Sequence, residues 1–380
     1  MAVRLSLFYA AYFLFGGIQL PYWPLWLQER GLGPAEIGLV LALTNGVKVV
    51  AGPTGGWLAD RWAQRRTPLI LLCGLTLVCL ALFIPAQGLP AIAAVTIMLA
   101  AFSSPIVPLG ENLVLMTIRQ HGLDYGRIRL WGSITFIGGA VATGQLLTGH
   151  SPELLLWLLI AAFALTFAAT VNLPDIRPAA ASGPARASPA WLLRRPVFLL
   201  VLLTGSLTAA SHAVLHGFST LHWRASGIDS GTIGVLWMLG VIAEILLFAV
   251  SGRFAGRLGV GGLFALAGIA GVVRWTISGF TVSPWLLAPA QMLHAFTFGA
   301  AHLGAMQFIS RAIPPQLSAT AQTLYSAVAI GGSHGLAIWA SGGLYGALGG
   351  SAFHVMAALS FGATAAALLL ARRWNGQVLS

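Results

Sequence analysis

A chain of 380 residues that is 57% hydrophobic, with only 8% Asp, Glu, Lys or Arg, has too little polar surface to coat a water-soluble domain. Its formal net charge of +11 would suit a nucleic-acid binder if the basic residues shared one soluble face. They lie instead between hydrophobic stretches, so the charge reports membrane topology and speaks against a nucleic-acid partner.

At roughly 20 residues per crossing, the pattern predicts twelve membrane helices: 5–28, 34–57, 67–86, 90–118, 127–149, 152–173, 196–222, 230–252, 259–281, 284–312, 317–346 and 350–371. The first is longer than a signal-peptide core and no small-residue cleavage site follows it, so it is expected to stay as span 1. Its outer end carries Gln19, Tyr22, Trp23 and Trp26. The tryptophans suit an interfacial belt, whereas Gln19 and Tyr22 are candidates for a substrate cavity, because a polar group inside a span needs a partner.

Span 2 carries Lys48 and ends in Gly56-Trp-Leu-Ala-Asp60-Arg61-Trp-Ala-Gln-Arg65-Arg66. Small residues here permit close helix approach, while Asp60 can cap a helix end and pair with arginine. Gly56, Asp60, Arg61 and Arg65 are therefore candidates for conformational gating. Cys73 and Cys79 lie six apart in span 3 and point to different faces, so neither a disulfide nor a metal pair is expected.

Spans 4 and 5 bring Glu111 and Arg129. After span 6 the stretch 174–196, rich in Pro, Ala and Arg, reads as a cytoplasmic linker between two six-helix halves, 1–173 and 197–380. In span 7 His212 and His216 share a face at i, i+4, but no carboxylate or third ligand accompanies them, and no metal or other cofactor is expected. Spans 8, 9 and 10 carry Glu244, Arg274 and His294. His302, His334 and His354 read as hydrogen-bonded helix packers, and Gln291, Gln307 and Gln322 as interhelical hydrogen-bonders.

Charge placement orients the chain. Of the 20 Lys and Arg, fifteen fall on the side of the N-terminus, only Arg30 and Arg224 on the other, and Lys48, Arg129 and Arg274 within spans. This positive-inside bias puts both termini in the cytoplasm.

Each charge within a span costs about 2.5–3.5 kcal/mol at mid-bilayer if left unpaired, so these groups must face one another or a water-filled cavity. Three bases and two acids leave the spans at +1, a charge that a monocarboxylate would neutralise. A proton taken up by one acid would free an arginine contact and couple anion entry to proton entry. Glu244 is the first choice for that acid, then Glu111.

The halves also repeat. At an offset of 196 residues, the window 31–61 matches 227–257 with seven identities, and Lys48 aligns with Glu244. Parallel repeats of this kind build carriers whose substrate site lies at mid-membrane.

The loop after span 2 resembles the major facilitator signature G-x-L-A-D-R-x-G-R-R, with Ala63 and Gln64 in place of its second Gly and the Arg after it. The run from Glu111 to Ser133, with 16–27, 239–251, 271–279, 293–309 and 324–333, is similar to the 3-phenylpropionic acid transporter group, relatives of the lactose permease. That resemblance implies a substrate-holding acid–base pair at Glu111 and Arg129 and a stacking ring at Phe136. It also implies roles in substrate binding and proton coupling for Glu244, Arg274 and His294. One departure stands out: the carboxylate that follows the histidine by three residues in the permease is Thr297 here.

The expectation is an all-α membrane protein with twelve transmembrane helices in two pseudo-symmetric six-helix halves, lodged in a bacterial inner membrane. It would import a small aromatic monocarboxylate such as 3-phenylpropionate with protons. A proton-coupled sugar or nucleoside symporter is the alternative. A histidine-metal enzyme within the membrane is the reading of another class, and scattered histidines speak against it. No nucleotide-binding glycine loop is present.

Overall fold

The computed structural model describes residues 1–61, 65–175, 189–314 and 317–379, the side chains of 52, 53, 55–61, 189 and 319 excepted. Among them the chain is all-α. The helices are α1 (Ala2–Glu29), α2 (Pro34–Arg61), α3 (Arg66–Leu82), α4 (Gly88–Ser103), α5 (Ile106–His121), α6 (Tyr125–Leu147), α7 (Leu154–Val171) and α8 (Pro189–Leu193). They continue as α9 (Pro196–Ala210), α10 (Ala213–Ala225), α11 (Ser230–Val250), α12 (Ala255–Phe280), α13 (Pro284–Met292), α14 (Ala301–Ala312), α15 (Ser318–Tyr325), α16 (His334–Leu348) and α17 (Ala352–Arg373). π-Helical turns at Ala295–Ala300 and Ser326–Ser333 join α13 to α14 and α15 to α16.

Nine stretches among the described residues are long and apolar enough to cross a membrane, against the twelve expected. The difference lies in three places. α3 has only 17 residues. The expected span 284–312 is broken at Leu293, just before its π-turn, and Thr320–Arg373 forms one apolar stretch through the expected spans 11 and 12.

Two more expected helices are interrupted for local reasons. Pro105 has no N–H to donate, and the span 90–118 breaks there into α4 and α5. The span 196–222 breaks at Ser211-His212, where side chains compete with the helix ladder. The Ser211 hydroxyl (2.7 Å) and His212 Nδ1 (2.9 Å) both take the Thr208 carbonyl. The His212 amide falls back on Ala209, three residues earlier, at 3.1 Å.

The chain divides into two compact units, Met1–Ser182 with Gly227–Val235, and Gly183–Ser226 with Leu236–Ser380. In unit 1, α1 packs most extensively on α6 and then on α7, while α4 packs on α2 and α3. Glycines set the α1–α6 distance. A Cβ at Gly139 would lie 2.9 Å from the Leu14 carbonyl oxygen, and one at Gly17 would collide with the Phe136 backbone. Thr135 Oγ1 then donates across the seam to Ala10 O at 2.7 Å.

In unit 2 the tightest pair is α12 with α17. Gly268 approaches Thr364, Gly271 approaches Ser360, and a Cβ at Gly261 would stand 2.6 Å from the Ala371 Cβ. The core beneath is aromatic and alanine-rich, with Phe198, Phe264 and Phe308 buried beside Ala301 and Ala305. α12 kinks at Gly259, whose φ of 64° a residue with a side chain rarely adopts.

Candidate functional site

The charged spans build two constellations, one in each unit. That of unit 2 centres on Arg274, which is 1% exposed. Its Nη1 donates to Thr297 Oγ1 at 2.9 Å and to His294 Nδ1 at 3.2 Å, and its Nη2 donates to Gln291 Oε1 at 2.7 Å. The guanidinium also lies 4.5 Å from the Trp275 ring centre. The π-turn that opens at Ala295 places Thr297 here, and His294, just before it, stacks on Phe298 with ring centres 5.4 Å apart. Such π-turns often mark functional sites, since they re-aim side chains without ending the helix.

The donors fix the proton positions. Arg274 only donates, so His294 Nδ1 accepts and a neutral His294 carries its proton on Nε2. That Nε2 lies 3.3 Å from Glu244 Oε2. His212 Nδ1 donates to the Thr208 carbonyl, so its Nε2 accepts from the Thr297 hydroxyl at 3.1 Å. Thr297 thus receives from Arg274 and gives to His212. A further pair follows the same logic: His334 Nδ1 donates to Ala209 O at 3.0 Å, so its Nε2 accepts from His216 Nδ1 at 3.1 Å.

The interrupted α9–α10 span therefore supplies the two carbonyls that set both tautomers. Arg274 donates to three neutral side chains, and His294 in turn reaches Glu244. Among the described residues, Arg274 Nε and Gln291 Nε2 are buried donors with no acceptor.

The constellation of unit 1 is looser. Glu111 on α5 accepts a hydrogen bond from the Tyr125 hydroxyl at the start of α6. The Arg129 guanidinium lies over the Phe13 ring at 3.9 Å and the Tyr9 ring at 5.3 Å, both on α1. Gly132 leaves the room for this, since a Cβ there would sit 2.9 Å from Arg129 Nη1. Among the described residues no ion pair joins Glu111 to Arg129; both are half-buried.

The other predicted residues fall elsewhere. Phe136 is half-buried, its ring against Gly16 of α1. Tyr22 is fully buried, with its hydroxyl 2.9 Å from Ala140 O and 3.2 Å from Ser230 O. Gln19 is half-buried on α1, and Lys48 is exposed on α2. Arg65 is buried, and its Nε donates to Asn112 Oδ1 of α5 at 3.2 Å. Gly56, Asp60 and Arg61 complete the α2 backbone, but their side-chain positions lie outside the described residues.

Tyr125, Tyr9 and Phe13 are partners that sequence reasoning did not single out. The signal was available for two of them, because Tyr9 and Phe13 stand one helical turn apart and can share a cation's face. Among the described residues, no group of three or more His, Cys, Asp or Glu is arranged to hold a metal.

Comparison with known proteins agrees on class. A model of the MFS_1 like family matches residues 2–356. The chain is 36% identical to a probable 3-phenylpropionic acid transporter of Escherichia coli (strain K12), over 93% of each chain. It is 30% identical to a maltose permease of Geobacillus stearothermophilus, over 88% of this chain and 84% of the relative. The crystal structure of a mutant of the nucleoside transporter NupG superposes with a TM-score of 0.88 at 17% identity, over 97% of this chain and 99% of that one.

Proposed function

We propose that this chain, which belongs to the MFS_1 like family and is a membrane transporter rather than an enzyme, imports a small aromatic monocarboxylate such as 3-phenylpropionate together with a proton. It works in a bacterial inner membrane with both termini in the cytoplasm, an orientation that the positive-inside charge pattern supports.

One observation carries the substrate class: a fully buried guanidinium that donates to Thr297, His294 and Gln291, and whose own Nε, like the nearby Gln291 Nε2, lacks an acceptor among the described residues. A carboxylate supplies the missing charge and the missing acceptors together, and Arg presents a planar fork matched to it. The E. coli relative carries the same chemistry in its name. Phe298, which stacks on His294 and is itself exposed, offers an apolar face for an aromatic ring.

Proton coupling follows from the relay. With Glu244 ionised, His294 links a carboxylate to Arg274, and the cluster is already neutral. Protonation of Glu244 withdraws that charge and leaves Arg274 at +1, which strengthens its hold on an entering anion. Linkage is reciprocal, so anion and proton favour each other's binding by the same factor. Alternating access of the two halves would carry both.

A second reading, a sugar or nucleoside carrier, draws on unit 1. Glu111 and Arg129 are not paired, so each can receive a hydroxyl, and the maltose permease relative has that kind of substrate.

Uptake of labelled 3-phenylpropionate into proteoliposomes, with and without an inward proton gradient, decides between them. Expected is gradient-driven accumulation that Arg274→Ala abolishes. No uptake by folded wild-type protein, alongside binding of a sugar or nucleoside, would overturn the carboxylate reading.

A further inference from the structure

A second polar feature of unit 2 lies far along α9 from Arg274 and plays no part in the transport reading. α9 begins at Pro196, α17 ends at Arg373, and the two helices pack together. Between them runs a groove of about 480 Å³, walled by Leu199, Leu203 and Leu369, which are 44%, 48% and 42% exposed. The groove shares Pro196, Val197 and Arg373 with an adjoining polar pocket of about 270 Å³, to which Arg195, Asn375 and Gln377 contribute. Among the described residues no Asp or Glu lines either one.

The polar pocket is built, not incidental. The residues after α17 turn back on themselves, with Trp374 Nε1 donating to Gln377 O at 2.8 Å and the Gln377 amide donating to Asn375 Oδ1 at 3.1 Å. The Leu379 amide then ties the tail to Ala312 O, at the end of α14, at 2.8 Å. Trp374 anchors the turn edge-on against Phe308 with ring centres 5.2 Å apart. On the opposite wall the Arg195 guanidinium lies 4.3 Å from the Trp191 ring centre, and its Nε is buried with no acceptor among the described residues. Pro196 opens the 15-residue α9, whose N-terminus adds partial positive charge at the same spot.

A ligand complementary to this site has an anionic oxygen-rich head and an apolar chain, and reaches it from within the membrane. Neither a free anion nor a neutral hydrocarbon uses both parts. We infer that the groove and pocket hold one anionic phospholipid, its phosphodiester between Arg195 and Arg373 and an acyl chain along Leu199, Leu203 and Leu369. Basic pockets beside membrane helices recognise headgroups in this way, and the positive-inside reading puts this one in the cytoplasmic leaflet. The lipid would fasten the C-terminal tail to the end of α9.

The test is native mass spectrometry of the full-length protein in detergent, with phosphatidylglycerol or phosphatidylcholine of identical acyl chains. The expected result is one retained phosphatidylglycerol, preferred roughly tenfold or more over phosphatidylcholine, as two arginines beside an anionic headgroup give. The doubly substituted Arg195→Gln, Arg373→Gln protein should lose that preference, and Leu203→Trp, which fills the groove, should weaken retention of both lipids. Equal retention of the two lipids by wild type overturns the inference, with no variant needed. So does a preference that survives the double substitution, or displacement of the lipid by millimolar inorganic phosphate. No transport substrate enters any arm, so the outcome is separate from that of the carboxylate reading.

Discussion

Two arginines in membrane helices, Arg129 in unit 1 and Arg274 in unit 2, are held by different physics. Arg129 is half-buried and rests on aromatic faces, which attract a cation at about 0.5–2 kcal/mol but donate and accept nothing. Arg274 is enclosed, and three neutral side chains accept its hydrogen bonds, two of them, His294 and Thr297, held by a further partner. Orientation is nearly free for the first and nearly fixed for the second. A fixed, buried cation is the better anchor for an anion, since its alignment is settled before the ligand arrives, while a loosely held one can adapt to several polar groups.

The largest expected effect breaks the tight side of this contrast. Arg274→Ala should lower kcat/KM for 3-phenylpropionate uptake by on the order of 100-fold or more, the scale of losing one partner of a buried charged contact. Arg274→Lys should rescue little, because an ammonium cannot reach Gln291, Thr297 and His294 in a planar fork. Next comes Glu244→Gln, which mimics the protonated acid. Substrate exchange between preloaded vesicles should persist, while accumulation driven by a proton gradient falls to background. Accumulation that stays intact would move the coupling site away from the relay.

Thr297→Val keeps the shape but removes the acceptor of Arg274 and the donor to His212. About 1–3 kcal/mol is at stake, so substrate affinity by calorimetry should weaken roughly 5- to 150-fold. On the loose side, Phe13→Leu should shift the uptake KM less than about fivefold, because Tyr9 still covers Arg129 and only part of a weak contact is lost. A larger shift than that of Thr297→Val would reverse the comparison.

Packing offers a check that needs no substrate. Gly139→Ala puts a methyl group 2.9 Å from the Leu14 carbonyl oxygen and should destabilise unit 1 by about 1–3 kcal/mol. Gly138→Ala, next to it and with nothing within 4 Å of its Cβ, should leave the melting temperature unchanged.

Much of this was legible in one dimension. Hydropathy showed a membrane chain because a bilayer admits few charged residues wherever they end up in space. For the same reason Glu111, Arg129, Glu244 and Arg274 could be picked out as residues with work to do: their cost is local, and some partner had to exist. Charge asymmetry between loops gave an expected orientation for a similar reason, since insertion acts on segments in order.

What the linear pattern could not decide was which partner each charge would find. Arg274 meets Gln291 and Thr297 because α13 and the π-turn after it pack back on α12, and hydropathy carries no trace of that placement. Glu111 meets Tyr125 and Arg129 meets the α1 aromatics, partners that the linear pattern did not carry. The break at Ser211-His212 has a local cause, but the partners it presents to, Trp275 and Thr297, lie more than sixty residues away in sequence. Sequence alone determined that charges were buried in the membrane and must be compensated; only the tertiary structure chose their partners, because short-range hydrogen bonds and aromatic contacts depend on helix placement to within an ångström or so.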